Sequence, residues 1–282
     1  MSNFSVLNNL SSMEGQQALG ATQKSLSKVF QRLSTGLRIN SAADDAAGLV
    51  ISSALKSDVR SLNQAMRNSN DGITLTQLAE DSLKEVSELL TRGRELAEQA
   101  ASDTSGADSS DSKKALDSEF TAIKDEITRL ASTIDFNGTK LFAADTTFDV
   151  QIGIASGSDY KLTLSTQAFS AGSFGGTTTS IDGSLTTSAS AVALMSKLDS
   201  AIDFISTQRS NFGALQNRLG SVVNSLQSQT NSLTAISSQI TDADMAQEVV
   251  NMSKFQVLQQ TGAAALAQAN QGSQVVLSLL RG

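Results

Sequence analysis

The segment "LMSKLDSAIDFISTQRSNFGALQNRLGSVVNSLQSQTNSLTAISSQI" (residues 194–240) determines the fold, because apolar residues recur in it at alternating steps of four and three. Twelve of the fourteen positions reached by these steps are apolar, in a chain whose composition is 39% hydrophobic. The positions are Leu194, Leu198, Ala201, Ile205, Gln208, Phe212, Leu215, Leu219, Val222, Leu226, Gln229, Leu233, Ile236 and Ile240. A repeat sustained this long predicts a coiled-coil seam. One helix of this length would span about 70 Å, so a rod is expected.

Partners for this seam lie in the first half of the chain, where three stretches follow the same spacing. They run from Leu55 to Met66, from Leu75 to Ala100 and from Leu116 to Ile134. The polar segment 102–114 between the last two is typical of a loop that reverses the chain direction. The sequence therefore predicts a mainly α fold, a long antiparallel helical coiled-coil rod built from both chain halves.

A small β region is expected between these helical halves. Asn137-Gly138, between Phe136 and Leu141, is typical of a two-residue hairpin turn. The segments 148–154 and 160–165 then alternate apolar and polar residues in the manner of strands. In residues 170–190, fifteen of the twenty-one residues are Ser, Thr or Gly, so this segment is expected to be a variable tip that adds little to the core.

Both chain ends carry apolar stripes that no segment of the rod is predicted to cover. The N-terminal stripe is Leu19, Leu26, Val29 and Leu33; the C-terminal residues are Val249, Met252, Phe255, Val275, Val276, Leu279 and Leu280. Short terminal helices are marginal in water on their own. These side chains are therefore predicted to be self-assembly contacts, buried when the two ends pair and other subunits surround them.

Two polar breaks, residues 40–48 and 241–248, separate these ends from the rod. Asp44, Asp45, Asp242 and Asp244 in the breaks are interpreted as helix-capping carboxylates and not as a metal site. Asp103, Asp108 and Asp111 fail the calcium-loop spacing, since the sixth position is not Gly and the twelfth is Lys114. We therefore expect no metal.

Composition excludes several classes of function. The chain has no Cys and no His, which excludes disulfides, thiolate or imidazole metal sites and catalysis by a His or Cys. A formal charge of −7 disfavours nucleic acid as a partner. No signal peptide or membrane span is visible, so another export route would be needed. We expect neither enzymatic activity nor a cofactor.

Four motifs resemble bacterial flagellin. They are "LSTGLRINSAADDAAGLVIS" (33–52), "FNGTKLF" (136–142), "SQITDADMAQEV" (238–249) and "QVVLSLLRG" (274–282). The resemblance covers roughly residues 1–142 and 190–282. It implies an inner terminal domain of residues 1–44 plus 243–282, a helical rod of residues 45–142 plus 190–242, and a short tip of residues 143–189, without the large outer domains of some relatives.

The resemblance implies a structural subunit that self-assembles into the flagellar filament for motility and is found outside the cell. In that family the subunit is exported unfolded by the flagellar type III apparatus, without a cleaved signal peptide. Its partners are further copies of itself, an export chaperone, and the filament cap and hook-associated proteins. No nucleic acid or membrane is among the expected partners.

Two sets of residues acquire expected roles from this resemblance. A host Toll-like receptor recognises a motif that aligns with Arg92, Glu95 and Leu96, together with Glu126 on the neighbouring helix. The polar breaks, with Asn40, Asp44, Gly48 and Asp242, are expected to be hinges that let identical subunits pack in slightly different ways. Two alternatives remain: a hook–filament junction protein, and a soluble coiled-coil adaptor, since heptads specify association and not purpose.

Overall fold

The structure, a computed structural model, describes residues 9–102, 110–175 and 180–281, except for the side chains of residues 110 and 272–281. Within these ranges there are five α-helices: α1 (Leu10–Thr35), α2 (Ala46–Ala101), α3 (Ser110–Thr133), α4 (Ser188–Thr241) and α5 (Met245–Arg281). The mainly α architecture is thus confirmed. No described helix has the length and apolar character of a membrane span.

Helix boundaries follow the local chemistry of the chain. Asn9 caps α1 by accepting a hydrogen bond from the Ser12 N–H at 3.1 Å, and Gly36 ends the helix in the left-handed conformation, with φ of 72°. The capping role is confirmed for Asp45, which accepts from the Gly48 N–H at 2.9 Å, and for Asp244, which accepts from the Ala246 N–H at 2.9 Å.

The chain divides into two compact units. Unit 1 consists of Met1–Ser57 and Ser232–Gly282, and unit 2 of Asp58–Asn231. Helices α2 and α4 each contribute residues to both units.

In unit 2, α2 and α4 run antiparallel, as the predicted seam requires. Glu80 accepts hydrogen bonds from Arg209, and Arg94 donates to Asp199, so later positions in α2 meet earlier ones in α4. The α4 seam is buried at eight of its positions: Leu194, Leu198, Ala201, Ile205, Gln208, Phe212, Leu219 and Leu226. Farther along the helix, Gln229 and Ile236 are exposed. The seam is therefore a core element over only part of its length.

Three antiparallel strand pairs are formed between α3 and α4. β1 (Asp135–Phe136) pairs with β2 (Thr139–Lys140), β3 (Thr146–Gln151) with β4 (Lys161–Thr166), and β5 (Phe169–Ser170) with β6 (Ser173–Phe174). The first two pairs confirm the predicted hairpins. A short 3₁₀ turn, Ser158–Tyr160, precedes β4.

The prediction that residues 170–190 add little to the core is wrong. Phe174, Ile181 and Leu185 are completely buried, and the ring of Phe174 lies 6.2 Å from that of Phe169 and 6.1 Å from that of Phe204. The segment has few apolar side chains, but those few point into the core of unit 2. The small number of apolar residues in this segment therefore led to an underestimate of its contribution to the core.

Candidate functional site

In unit 1, helix α1 near the start of the chain is paired with helix α5 near its end. Helices α1 and α5 run antiparallel, and each places a leucine against a glycine of the other. A Cβ atom on Gly15 would lie 2.9 Å from Cδ2 of Leu266, and one on Gly262 would lie 3.5 Å from Cδ1 of Leu19. Because the glycines carry no side chain, the two helices approach closely at these points.

Polar contacts fix the register of the pair at both ends. Arg32 of α1 donates a hydrogen bond at 3.2 Å to Glu248 in the first turn of α5, and the Glu248 side chain is only 9% exposed. Toward the other end, the Asn9 amide donates to the Ala269 carbonyl at 3.3 Å. A buried carboxylate is unfavourable without a partner, so the Arg32 bond favours this register over a shifted one.

The chain segments at the two polar breaks, residues 36–45 and residues 241–244, are hydrogen-bonded to each other. We call these two segments together the joint. Leu37 and Asp242 form an antiparallel bridge. The Arg38 N–H donates to the Thr241 carbonyl at 2.6 Å, and the Ala243 N–H donates to the Gly36 carbonyl at 2.9 Å. The second break is shorter than its sequence suggested, because α5 already begins at Met245.

Asp44 holds the longer segment of the joint, residues 36–45, through hydrogen bonds to its carboxylate. Its carboxylate accepts hydrogen bonds from the Ser41 hydroxyl at 3.0 Å and from the N–H groups of Ser41 and Asn40 at 3.1 and 3.3 Å. The Ser41 hydroxyl bond is the main cause that lowers the pKa of Asp44, with further contributions from the backbone donors and Lys28. Asp44 thus holds the loop and does not cap α2, the role predicted for it.

This arrangement predicts an acid-sensitive joint. A carboxylate whose pKa is lowered by folding contributes stability above its unfolded pKa and loses that contribution as the pH falls through the folded pKa. We therefore expect amide protons of Asn40 and Ser41 to lose protection from hydrogen exchange on acidification. In Asp44→Asn, protection should already be low at neutral pH and change little with acid; an unchanged wild-type profile would contradict this role.

A substitution at Gly48 is expected to disturb the joint in the monomer. A Cβ there would lie 2.6 Å from Oδ2 of Asp45 and 2.7 Å from Cδ1 of Ile39, closer than side chains normally approach. Gly48→Ala should therefore lower the denaturation midpoint of unit 1, measured by amide exchange at increasing urea.

Gly20→Ala in α1 is the matched control, because Gly20 also belongs to unit 1 and nothing lies within 4 Å of a Cβ at that position. It should stabilise the helix by about 0.5–1 kcal/mol. If Gly48→Ala were as stabilising as Gly20→Ala, the close packing around Gly48 would be contradicted.

Unit 1 buries few apolar side chains and exposes many. Among its described residues the buried apolar side chains are Leu26, Val29 and Ile39. Its exposed large apolar side chains are Leu10, Met13, Phe30, Val50, Ile51, Ile236, Met245, Val249, Val250, Val257 and Leu258. So many exposed apolar side chains in one region are typical of an interaction surface.

The predicted self-assembly residues occupy different positions within this region. Leu26 and Val29 are buried, Leu19, Leu33, Met252 and Phe255 are partly buried, and Val249 is 47% exposed. Val275, Val276, Leu279 and Leu280 belong to the last turns of α5, and their side chains lie outside the described residues. Sequence periodicity did not identify the exposed residues Phe30, Val50 and Val257, because they fall outside the regular stripe.

The residues aligned with a receptor motif lie on α2 and α3 of unit 2. Arg92 is 52% exposed and bonds to Glu95 at 3.1 Å and to Glu119 at 2.7 Å. Glu126 pairs with Arg129 at 2.6 Å, and this bond lowers the Glu126 pKa. Leu96 is only 1% exposed, so its side chain belongs to the core.

A groove of about 850 Å³ in unit 2 lies between α2 and the β3–β4 hairpin. Its lining includes Asp149, whose pKa is lowered by the Thr163 hydroxyl and by Lys161. This carboxylate is therefore ionised at neutral pH and stabilises the hairpin. Among the described residues, no group of three or more carboxylates is placed to hold a metal ion.

Comparison with known proteins matches most of the chain. The family model of the bacterial flagellin N-terminal helical region matches residues 6–147, and that of the C-terminal helical region matches residues 195–280. A flagellin of Halalkalibacterium halodurans is 39% identical over 276 residues, 97% of this chain and 98% of the relative. The flagellar filament 33 kDa core protein of Treponema phagedenis is 38% identical over 284 residues, again 97% and 98%. The crystal structure of Bacillus cereus flagellin, 31% identical, covers 61% of this chain and 94% of that chain with a TM-score of 0.47.

Proposed function

Because this chain belongs to the bacterial flagellin family and is a subunit of the flagellar filament, we propose that it polymerises through unit 1. The assembly surface consists of the α1–α5 pair together with the portions of α2 and α4 that belong to unit 1. The filament is extracellular, so the assembled subunit acts outside the cell. The family is structural, and we propose no catalytic role for the chain.

The observation that carries this proposal is the imbalance between buried and exposed apolar side chains in unit 1. Three described apolar side chains are buried there, whereas residues such as Val50, Val250 and Val257 are 70%, 61% and 57% exposed. Burying one side chain of this size completely contributes about 1.5–3 kcal/mol. In a polymer, neighbouring copies of the chain would cover many of these side chains at once. Each side chain buried in this way would stabilise the polymer.

Substitution of Val257 by asparagine is expected to weaken assembly and leave the monomer folded. Valine and asparagine have similar helix propensities, so α5 itself should change little. Loss of the remaining burial should cost about 1–2 kcal/mol per subunit contact, which corresponds to a roughly five- to thirtyfold rise in critical concentration. Sedimentation of seeded polymer at a series of protein concentrations measures this quantity.

Val192→Asn is the matched control, because Val192 is 58% exposed but belongs to unit 2. We expect its critical concentration to remain within about twofold of wild type, as a surface substitution of this kind usually costs little. An equal rise for both variants would contradict the assignment of assembly to unit 1.

We further propose that the chain passes through the flagellar type III apparatus unfolded, bound beforehand by an export chaperone. The small buried core of unit 1 supports this, because a segment with few buried side chains costs little to unfold. Insertion beneath a filament cap and contact with hook-associated proteins complete the proposed set of partners. The two relatives compared above are named flagellin and flagellar filament core protein, and this favours the filament over the hook–filament junction alternative.

The joint is proposed to be a hinge between an inner domain of residues 1–44 plus 243–282 and the remaining helical region. Asn40, Asp44, Gly48 and Asp242 would set its preferred angles through the hydrogen bonds described above. We also propose that Arg92, Glu95 and Glu126 meet a host Toll-like receptor on free subunits, with Leu96 supporting them from the core. The exposure of Arg92 and Glu95, 52% and 61%, supports direct contact by these two.

A further inference from the structure

The hairpin turn between β1 and β2 contains the single Asn-Gly pair of the sequence, Asn137-Gly138. Both residues are exposed, and both have positive φ angles, 51° and 81°. We propose that Asn137 is a site of spontaneous covalent modification, at which the side-chain amide is converted to an acid through a cyclic imide. This inference concerns unit 2 and is independent of filament assembly.

The reaction requires only the turn and water. The backbone nitrogen of Gly138 forms a bond to Cγ of Asn137, the bond between Cγ and Nδ2 breaks, and ammonia leaves with the proton lost by the Gly138 N–H. Water then adds to one of the two imide carbonyls and opens the ring. Addition at the side-chain carbonyl gives aspartate, and addition at the main-chain carbonyl gives isoaspartate, so no oxidant or reductant is needed.

Two features of the turn favour this chemistry. A glycine after the asparagine leaves its nitrogen free of steric hindrance from a side chain, and nothing lies within 4 Å of a Cβ built on Gly138. Each strand beside the turn is only two residues long, so little secondary structure opposes its opening. Asn70 is also exposed, but it lies inside α2, where helical hydrogen bonds hold its backbone.

The two products have different structural consequences. Aspartate keeps the backbone unchanged and is compatible with the turn, since Asp-Gly is a favoured pair in such hairpins. Isoaspartate routes the backbone through the side chain and lengthens the turn, which cannot then retain the pairing of Phe136 with Thr139. The buried residues Leu141 and Phe142 follow directly, so isoaspartate should loosen this edge of the core of unit 2.

Incubation of the purified full-length chain in mildly alkaline buffer tests the proposal. Peptide mass mapping measures conversion of amide to acid, and enzymatic methylation of isoaspartyl groups identifies that product. We expect the side-chain amide of Asn137 to be converted to an acid while that of Asn70 remains an amide. Asn137→Gly is the control, because Gly-Gly supports the same turn without a side-chain amide.

The isoaspartyl signal should be lost in Asn137→Gly, and the melting transition of this variant should stay unchanged during incubation while that of the wild type broadens. If Asn137 remained an amide for as long as Asn70, the proposal would be overturned. An isoaspartyl signal of wild-type size in Asn137→Gly would overturn it as well.

Discussion

Replacement of Gly15 by leucine is expected to abolish seeded filament growth. A Cβ at this position would lie 2.9 Å from Cδ2 and 3.1 Å from Cγ of Leu266. Leu266 could shift enough for a single methyl group, but a leucine has no space between the helices. Overpacking of this kind costs about 1–3 kcal/mol, which is large for a pair with so few buried side chains. The α1–α5 pair should separate and present no continuous surface to other subunits.

Gly20→Leu provides the control on the same helix, because nothing lies within 4 Å of a Cβ at Gly20. Both substitutions raise helix propensity by a similar amount, so their difference isolates the contact with Leu266. Electron microscopy should show long filaments for Gly20→Leu and only short seeds for Gly15→Leu. Filaments of normal length from Gly15→Leu would show that close approach at Gly15 is not needed for assembly.

A second large effect is expected for Phe120→Ala, this time on folding. The Phe120 ring is completely buried in unit 2, and a Cβ on Gly93 would lie 3.1 Å from it. Removal of a buried phenylalanine ring usually costs about 3–5 kcal/mol, from lost burial and the cavity left behind. Unit 2 should therefore unfold at a much lower urea concentration than in the wild type. Tyr160, the single tyrosine of a chain without tryptophan, lies in unit 2 and reports this transition by fluorescence.

Phe30→Ala is the matched substitution in unit 1, where the ring is 49% exposed. The Tyr160 transition should remain within about 0.5 kcal/mol of wild type, as for other surface substitutions. Assembly should instead be weakened, since Phe30 belongs to the proposed assembly surface. If both variants lowered the stability of unit 2 equally, the separation between a folding core and an assembly surface would be contradicted.

Much of the fold was accessible from sequence because helical periodicity is repeated over many turns. The alternating steps of four and three identified the seam of α4, and Asn137-Gly138 identified the β1–β2 turn. Capping by Asp45 and Asp244 followed from the preference of Asp for helix starts, although the same reasoning wrongly assigned this role to Asp44. These features depend on residues close together in the chain, so local chemistry is enough to predict them.

Features that depend on distant residues were not predicted. Gly15 meets Leu266 only because α1 and α5 pair in one particular register, which is set in part by Arg32 and Glu248. Ile181 and Leu185 are isolated among Ser, Thr and Gly, and their complete burial depends on the surrounding helices. Periodicity also cannot show where the residues of the α4 seam cease to be buried, as Ile236 does. Such properties arise from tertiary packing and not from local pattern.

Hydrogen–deuterium exchange on the monomer and on the seeded filament tests most directly whether the paired chain ends form the assembly surface. We expect slow exchange in residues 75–100 of α2 in both states, because the core of unit 2 is already complete in the monomer. Residues 10–35 and 245–271 should exchange faster than that core in the monomer, because unit 1 buries few apolar side chains, and become strongly protected in the filament. Equal exchange of these two segments before and after assembly would contradict the assignment.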